Sequence, residues 1–262
     1  MLTVLKLGGS VVTDKSKPYS IRKDVLRRIA GELKPYLELN NKLVIVHGGG
    51  SHGHHIVNLY RRKNRIEDEH YYSKVTIIMN ELSLKISHYL SIEGIPVVIL
   101  PTHALFKLNE NNELEVYSLN VIVEHLEQNI VPILYGDVVL SKKGFPVLSG
   151  DDISWYLACK LRAQKLLFAT SVNGIYSGPI GESPIIEQID CRGKNMDEIL
   201  NKIYVVRDKS SIDVTGGIIN KIVAAKKYGC KNLDVIIFNG LVEDNIRKVL
   251  LGEKIPGTKV LL

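Results

Sequence analysis

Short apolar segments rich in β-branched residues alternate with longer helical patterns, and this alternation constrains the fold more than any other feature of the sequence. Strands are predicted at Leu2–Leu7 and Leu43–Val46, with helical patterns over residues 21–39 and from about Ser51. Such alternation is typical of βα units that build a parallel sheet. Further segments of the same kind predict strands at Pro96–Leu100, Ile130–Leu134, Lys165–Ala169 and Leu233–Phe238. The sequence therefore predicts an α/β fold with a mostly parallel sheet running through the whole chain.

Two β-hairpins are predicted to protrude from this sheet. Residues 105–117 form two alternating segments around Asn-Glu-Asn-Asn, a pattern typical of a hairpin. A second hairpin is predicted around Lys142–Gly144. Since 262 residues suit one continuous α/β body, we predict a single domain, 1–262, with a soft boundary between its halves, 1–150 and 151–262.

Composition excludes several classes of protein. With 45% hydrophobic and 24% charged residues, the chain is neither disordered nor collagenous. The longest apolar run, Ile95–Leu100, is far shorter than the ~20 residues of a membrane span, and the N-terminus has no secretory pattern. We therefore expect a cytoplasmic protein without a membrane partner. Three widely spaced cysteines, Cys159, Cys191 and Cys230, argue against a disulfide framework and a paired-cysteine zinc site.

The chain is mildly basic, since 34 Lys+Arg against 28 Asp+Glu give a formal charge of +6. The run Arg61–Arg65 could indicate a nucleic-acid patch. However, no aromatic residues are interleaved with it, and the sequence contains no recognised nucleic-acid module. We interpret the run as a solvated helix end and expect no nucleic-acid partner.

Glycine-containing turns follow several of the predicted strands. They lie at Lys6–Ser10, His47–Ser51 and Ser149–Asp152, and a further Gly-Gly pair occurs within Asp213–Lys221 before a predicted helix. In an open parallel sheet, ligands bind beyond the carboxyl ends of the strands. Consecutive glycines let backbone N–H groups approach an anion, and a helix N-terminus adds a favourable dipole. These turns therefore predict a phosphate site, although no Walker A or G-x-G-x-x-G pattern of the common nucleotide folds is present.

Five collinear segments resemble the amino-acid kinase superfamily. They are KLGGS at 6–10, HGGGSHGH at 47–54, SGDD at 149–152, DVTGGIINK at 213–221 and GTKV at 257–260. Within the superfamily, the pattern is closest to the isopentenyl phosphate kinases. The resemblance implies a three-layer αβα sandwich, a homodimer, and ATP-dependent phosphorylation of isopentenyl phosphate to isopentenyl diphosphate. It also implies that the N-terminal half binds the acceptor and the C-terminal half the nucleotide.

The resemblance further implies roles for individual residues. Lys6 and Lys221 would hold the phosphates of the nucleotide, and Lys15 would stabilise charge in the transition state. His54 would donate to the acceptor phosphate. Besides His54, the acceptor would contact Gly49 and Gly150. Besides the two nucleotide lysines, ATP would contact Leu7, Gly8, Gly9, Ser10, Gly50, Ser171, Tyr176 and Gly217.

An aspartate is expected to hold the two nucleotide lysines in place. The SGDD segment offers Asp151 and Asp152, and we favour Asp152. No dedicated cluster of carboxylates or other metal ligands is apparent, so Mg²⁺ would be carried by the nucleotide phosphates.

A five-carbon acceptor tail requires an apolar pocket beside the phosphate site. The helical pattern over residues 66–90 carries an apolar stripe at spacings of three and four: Tyr72, Val75, Met79, Leu82 and Ile86. Most of this stripe should be core. One or two of its residues, Tyr72 or Met79 in particular, are predicted to cap the tail.

Two alternatives remain open at this point. A kinase of the same fold could act on fosfomycin, a nucleoside monophosphate or an acyl amino acid. A regulator or storage protein could keep the fold and bind nucleotide without turnover. The joint presence of Lys6, Lys15, His54 and Lys221 argues against the second alternative, because a binding protein has little need to stabilise transition-state charge.

Overall fold

A computed structural model describes residues 1–62, 68–191, 221–225, 227–228 and 230–262. The strands in these ranges are β1 (Leu2–Leu7), β2 (Lys42–His47), β3 (Val97–Ile99), β4 (Phe106–Leu108), β5 (Leu114–Val116), β6 (Val131–Tyr135), β7 (Asp137–Val138), β8 (Leu140–Ser141), β9 (Val147–Leu148), β10 (Lys165–Thr170), β11 (Gln188–Asp190), β12 (Asp234–Asn239) and β13 (Gly257–Leu261). The helices are α1 (Gly9–Val12), α2 (Lys23–Glu38), α3 (Gly50–Arg62), α4 (Glu69–Ile92), α5 (Thr102–Leu105), α6 (Asn120–Glu127), α7 (Gly150–Lys160) and α8 (Asn245–Leu251). Residues 221–225 are also helical.

The main sheet has eight described strands in the order β11-β13-β12-β10-β1-β2-β6-β3. Its central neighbours, from β12 through β10, β1, β2 and β6 to β3, all pair in parallel, whereas β13 runs antiparallel to β12. All six strands predicted from sequence are present, and no predicted bound differs from the observed one by more than one residue. The predicted mostly parallel sheet is therefore confirmed.

Both faces of the sheet are covered, which confirms the predicted three-layer sandwich. Along β1, Val4 packs into one apolar cluster with residues of α6 and α7, and Leu5 packs into another with residues of α2, α4 and α8. Val44 and Ile45 of β2 divide between the same two clusters. Successive side chains of a strand point to opposite faces, so strands covered on both faces need the continuous apolar runs seen in the sequence.

The buried carboxylate of Glu32 fastens α2 to the start of α8. It accepts backbone N–H bonds from Asp244 and Ile246, each at 2.9 Å, and pairs with Arg28 on its own helix. The first N–H groups of a helix have no partner within that helix, and a carboxylate there also meets the favourable end of the helix dipole. Glu32 therefore supplies a cap from a neighbouring helix.

Both predicted hairpins are present. β4 and β5 pair antiparallel, and β8 extends them to a three-stranded sheet. β7 and β9 also pair antiparallel, and the chain between them reverses at the bridge of Ser141 with Gly144. Within the described ranges, no helix combines the length and the apolar character that a membrane crossing requires.

One disulfide corrects the expectation drawn from cysteine spacing. Cys159 at the end of α7 is bonded to Cys230, with 5.4 Å between their α-carbons. The two residues are 71 positions apart in sequence, and the fold brings them together. Wide spacing in the chain therefore did not exclude a cross-link.

Candidate active site

A cleft of about 470 Å³ opens at the carboxyl edge of the four central strands. Its walls include the residues that follow β1, β2, β6 and β10, among them Gly8, Gly48, Gly136 and Ser171. In the sheet, β1 lies between β2 and β10. The chain forms β2 on one side of β1 and later forms β10 on the other side. Such a reversal of strand order creates a crevice outside the strand ends, where α/β proteins bind ligands.

Glycines let the loops of this cleft approach each other backbone to backbone. A β-carbon on Gly48 would lie 2.8 Å from the nitrogen of Gly9, and one on Gly136 would lie 2.9 Å from the nitrogen of Gly150. Both distances are shorter than real β-carbon contacts, so a side chain at either position would force the loops apart. In addition, α1, α3 and α7 begin at Gly9, Gly50 and Gly150 on this edge. Helix N-termini without shielding side chains form a suitable cradle for phosphate groups.

A buried charge cluster of Lys6, Asp151 and Lys221 lies in the wall of the cleft. The Asp151 carboxylate is 2.8 Å from Lys6 Nζ and 3.1 Å from Lys221 Nζ. All three side chains are at most one-tenth exposed. Two ammonium groups share one carboxylate, so the charged cluster has a net charge of 2 − 1 = +1. A buried net positive charge is an attractive site for an anion.

The environment of this charge cluster shifts two of its pKa values. Burial lowers the pKa of Lys221 to about 8, although the Asp151 carboxylate opposes the shift and Lys6 adds to it. Burial alone would raise the pKa of Asp151, but the adjacent Lys221 and Lys6 bring that pKa below its ordinary value. Asp151 is therefore ionised at neutral pH, and Lys221 loses its proton within the alkaline range of an assay.

The expectation that Asp152 holds the two lysines is wrong, because Asp151 occupies that position. Asp152 closes the N-terminus of α7 instead: its N–H donates to Ser149 Oγ at 3.0 Å, and its carboxylate accepts from the same hydroxyl at 2.6 Å. The carboxylate also lies 3.8 Å from Lys227 Nζ and accepts from the Tyr228 hydroxyl at 3.3 Å. Neighbouring residues of a helix differ in direction by roughly 100°, so only one of the two aspartates can face the cleft.

Most of the other residues predicted for the site lie in the cleft wall. Those that line it with Lys6 and Lys221 are Gly8, Gly9, Ser10, Lys15, Gly49, Gly50, His54, Gly150 and Ser171. Leu7 is buried in the core, and Tyr176 pairs with Ile185; neither belongs to the described lining. Gly217 and the rest of residues 213–220 lie outside the described residues.

One face of α3 contributes residues that the sequence interpretation missed. Asn58 and Arg61 line the cleft together with His54, and all three side chains are exposed to solvent. Asn58 and Arg61 follow His54 by four and seven positions, the spacing that places residues on one helix face. This spacing could have identified Arg61, which was instead interpreted as part of a solvated basic run.

Asp137 is a second lining residue that was not predicted. Its buried carboxylate contacts His103 Nδ1 at 2.7 Å and accepts the N–H of Val138 at 2.9 Å. Burial raises the pKa of Asp137, and the contact with His103 opposes that shift. Asp137 therefore has a hydrogen-bond partner for each carboxylate oxygen.

An apolar strip borders the cleft beside the glycine loop that contains Gly49. Val75 and Met79 of α4 and Val57 of α3 form it. The Met79 sulfur lies 3.4 Å from the position that a β-carbon on Gly49 would occupy, so the apolar strip reaches the glycine loop. Tyr72 packs on Phe145 instead and is not among the described lining residues. Of the two residues predicted to cap a tail, only Met79 lies in the cleft wall.

No group of three histidine, cysteine, aspartate or glutamate side chains arranged to hold a metal ion occurs among the described residues. The two buried carboxylates at the cleft, Asp151 and Asp137, are already engaged by lysines and by a histidine.

The chain is similar to known proteins along nearly its whole length. Residues 1–239 match the Amino acid kinase family. The chain is 37% identical over 272 residues to an isopentenyl phosphate kinase of Methanocaldococcus jannaschii, covering 99% of this chain and 98% of the relative. It is 31% identical over 270 residues to the isopentenyl phosphate kinase of Methanothermobacter thermautotrophicus, with the same coverage. A solved isopentenyl phosphate kinase superposes with a TM-score of 0.76 at 26% identity, covering 99% of this chain and 100% of that one.

Proposed function

The chain belongs to the amino acid kinase family, and we propose that it transfers the γ-phosphate of ATP to isopentenyl phosphate, giving ADP and isopentenyl diphosphate. The observation that carries this proposal is the buried charge cluster of Lys6, Asp151 and Lys221 in a glycine-walled cleft. His54 and the apolar strip border the same cleft, so an acceptor with a phosphate head and a short hydrocarbon tail has partners for both parts.

The acceptor needs no general base. The second pKa of a phosphate monoester is near ~6, so the acceptor is largely a dianion at neutral pH and carries its own nucleophilic oxygen. That oxygen forms a bond to the γ-phosphorus while the bond from this phosphorus to the oxygen bridging to the β-phosphate breaks. ADP leaves with the electron pair of the broken bond.

Repulsion between two polyanions is the main obstacle to this transfer, and positioned positive charge lowers it. Lys6 and Lys221 are suited to the nucleotide phosphates because Asp151 holds both ammonium groups at the same wall of the cleft. Lys15 also lines the cleft and is suited to the charge that develops on the transferring group. His54 is suited to donating to the acceptor phosphate.

The two halves of the chain are proposed to divide the substrates. The acceptor would bind residues of the N-terminal half, 1–150, where His54 and Met79 lie, and the nucleotide would extend over 151–262 past Ser171. Mg²⁺ would neutralise charge on the nucleotide phosphates, which would also supply its ligands. In the described part of the cleft, Asp137 and Asp151 are engaged by protein side chains. Reaction in the cytoplasm is part of the same proposal.

A homodimer is proposed through the outer face of α4. Ile77, Leu84 and Ile92 lie along this helix, and each is more than half exposed. Apolar side chains grouped on one helix face are typical of a protein interface. Sedimentation equilibrium should give a dimer mass, and Leu84→Glu should shift the protein towards the monomer; a wild-type monomer would contradict this part of the proposal.

His54→Ala tests the proposed function. We expect kcat/KM for isopentenyl phosphate to fall at least about tenfold, a loss of ~1.4 kcal/mol, because the donor to the acceptor phosphate is lost. His55→Ala is the matched control, since His55 is the next residue, is also exposed and does not line the cleft. Equal kinetics for His54→Ala and His55→Ala would contradict the role of His54.

A further inference from the structure

One face of α7 contacts Lys221 and Cys230 through three residues that are spaced four positions apart. Asp151, Trp155 and Cys159 are spaced by four residues each, so they lie one turn apart on one face of the helix. Asp151 meets the Lys221 ammonium, Trp155 meets the Lys221 backbone, and Cys159 is bonded to Cys230. α7 therefore contacts this part of the chain at Lys221 and at Cys230.

Trp155 makes the middle contact. Its side chain is fully buried, and the indole Nε1–H donates to the backbone carbonyl of Lys221 at 2.9 Å. The indole also packs on Phe168, at 6.0 Å between ring centroids, and Lys221 Nζ lies 5.6 Å from the centroid of the same Phe168 ring. Phe168 is the register partner of Lys6 in the sheet. The indole thus joins the backbone of Lys221 to the wall that holds both lysines.

We propose that Trp155 is a positioning residue for phosphoryl transfer, fixing Lys221 against Asp151 through the hydrogen bond of its indole to the Lys221 carbonyl. This inference rests on the proposed function. A lysine side chain has four rotatable carbon–carbon bonds, and holding only its ammonium leaves the backbone free to shift. Holding both ends fixes where the charge lies, which matters because a displacement of ~1 Å at a reacting centre can cost ~100-fold in rate.

Loss of the indole hydrogen bond should also change how Lys221 titrates. The charged groups that act on its ammonium are Asp151, Lys6 and Lys15, and burial is the dominant influence. If Lys221 is released from this wall, it regains solvent, and its pKa rises from about 8 towards the ordinary value of a lysine. The alkaline limb of kcat/KM, which reports the free enzyme, should then move to higher pH.

The experiment replaces the indole N–H by sulfur. The chain contains one tryptophan, so growth of a tryptophan auxotroph on β-(3-benzothienyl)alanine changes Trp155 alone. This analogue keeps the bicyclic shape but cannot donate, so the packing against Phe168 is retained. Trp155→Phe serves as a second, genetically encoded variant. Tyr156→Phe is the control, because it removes a polar group from the next position of α7, which has no described contact with Lys221.

We expect kcat to fall about fivefold in the benzothienyl protein, with the KM for isopentenyl phosphate changed less than twofold and the alkaline limb displaced upward. Competitive labelling with acetic anhydride, followed by mass spectrometry of the Lys221 peptide, measures the reactivity and pKa of this amine without any turnover. If the wild type transfers no phosphate to isopentenyl phosphate, the proposed function fails. The labelling profile still tests whether Trp155 positions Lys221, because it does not depend on turnover. An unchanged labelling profile in a folded benzothienyl protein would overturn the inference.

Discussion

Replacing Asp151 by asparagine removes the one negative charge between two buried ammonium groups. At distances of 2.8 and 3.1 Å, each ion pair contributes a Coulomb attraction of about 5–6 kcal/mol at an effective dielectric constant of ~20. Desolvation of the charges offsets much of this attraction, and removal of one partner from a buried ion pair typically costs ~3–5 kcal/mol. We therefore expect Asp151→Asn to lower the free energy of unfolding by an amount in that range, measured by urea denaturation near neutral pH.

The same substitution should leave a specific signature in the pH dependence of activity. The Asp151 carboxylate raises the pKa of Lys221, whereas burial and Lys6 lower it. Without the carboxylate, burial and Lys6 remain, and both lower the pKa of Lys221. This pKa should therefore fall further below about 8. A larger fraction of Lys221 is then neutral at a given pH, so the alkaline limb of kcat/KM should move to lower pH. Activity should accordingly recover in part as the assay is made more acidic.

Asp152→Asn provides the matched control for this experiment. Asp152 is the next residue, but its carboxylate contacts Ser149, Lys227 and Tyr228 rather than the buried charge cluster. Its substitution should leave the alkaline limb where it is in the wild type. The reasoning would be refuted if Asp151→Asn kept the wild-type limb, or if Asp152→Asn moved the limb and Asp151→Asn did not.

Three further changes test the packing around the site. Glu32→Gln should lower the free energy of unfolding by ~2 kcal/mol in urea, with kinetic constants unchanged, because the cap of α8 loses its charge; an unchanged midpoint would contradict this. Reduction of the bond between Cys159 and Cys230, which spans 71 residues, should cost up to ~4 kcal/mol of stability, and a midpoint insensitive to dithiothreitol would refute it. Met79→Ala should improve turnover of longer prenyl phosphates relative to isopentenyl phosphate, whereas Ile77→Ala on the exposed face should not.

Much of the fold was predictable because its determinants are local. Strands covered on both faces require apolar runs such as Leu2–Leu7, and a strand that ends in Gly-Gly places backbone at the edge where ligands bind. The glycine-rich turns thereby indicated the cleft, and Lys6 was placed in it because it is the last polar residue of such a strand.

The residues that were misassigned depend on geometry that the sequence does not contain. The choice between Asp151 and Asp152 follows from where α7 begins, which the Ser149 cap determines, and a shift of one residue would exchange their directions. The contact of Asp137 in β7 with His103 in α5 joins two elements that are distant in sequence. Arg61 is different, because its spacing of seven positions from His54 was visible in the sequence. The basic residues next to it favoured the interpretation as a solvated helix end, although Arg61 lines the cleft.

The most direct test of the proposed reaction is the release of ADP from ATP with a panel of acceptors at equal concentration: isopentenyl phosphate, dimethylallyl phosphate, fosfomycin, uridine monophosphate and acetylglutamate. Lys6→Met, measured in parallel, identifies any activity from a contaminating kinase, because it removes one ammonium group of the buried charge cluster. We predict the highest kcat/KM with isopentenyl phosphate and loss of that activity in Lys6→Met. Activity confined to uridine monophosphate or acetylglutamate would contradict the proposed function.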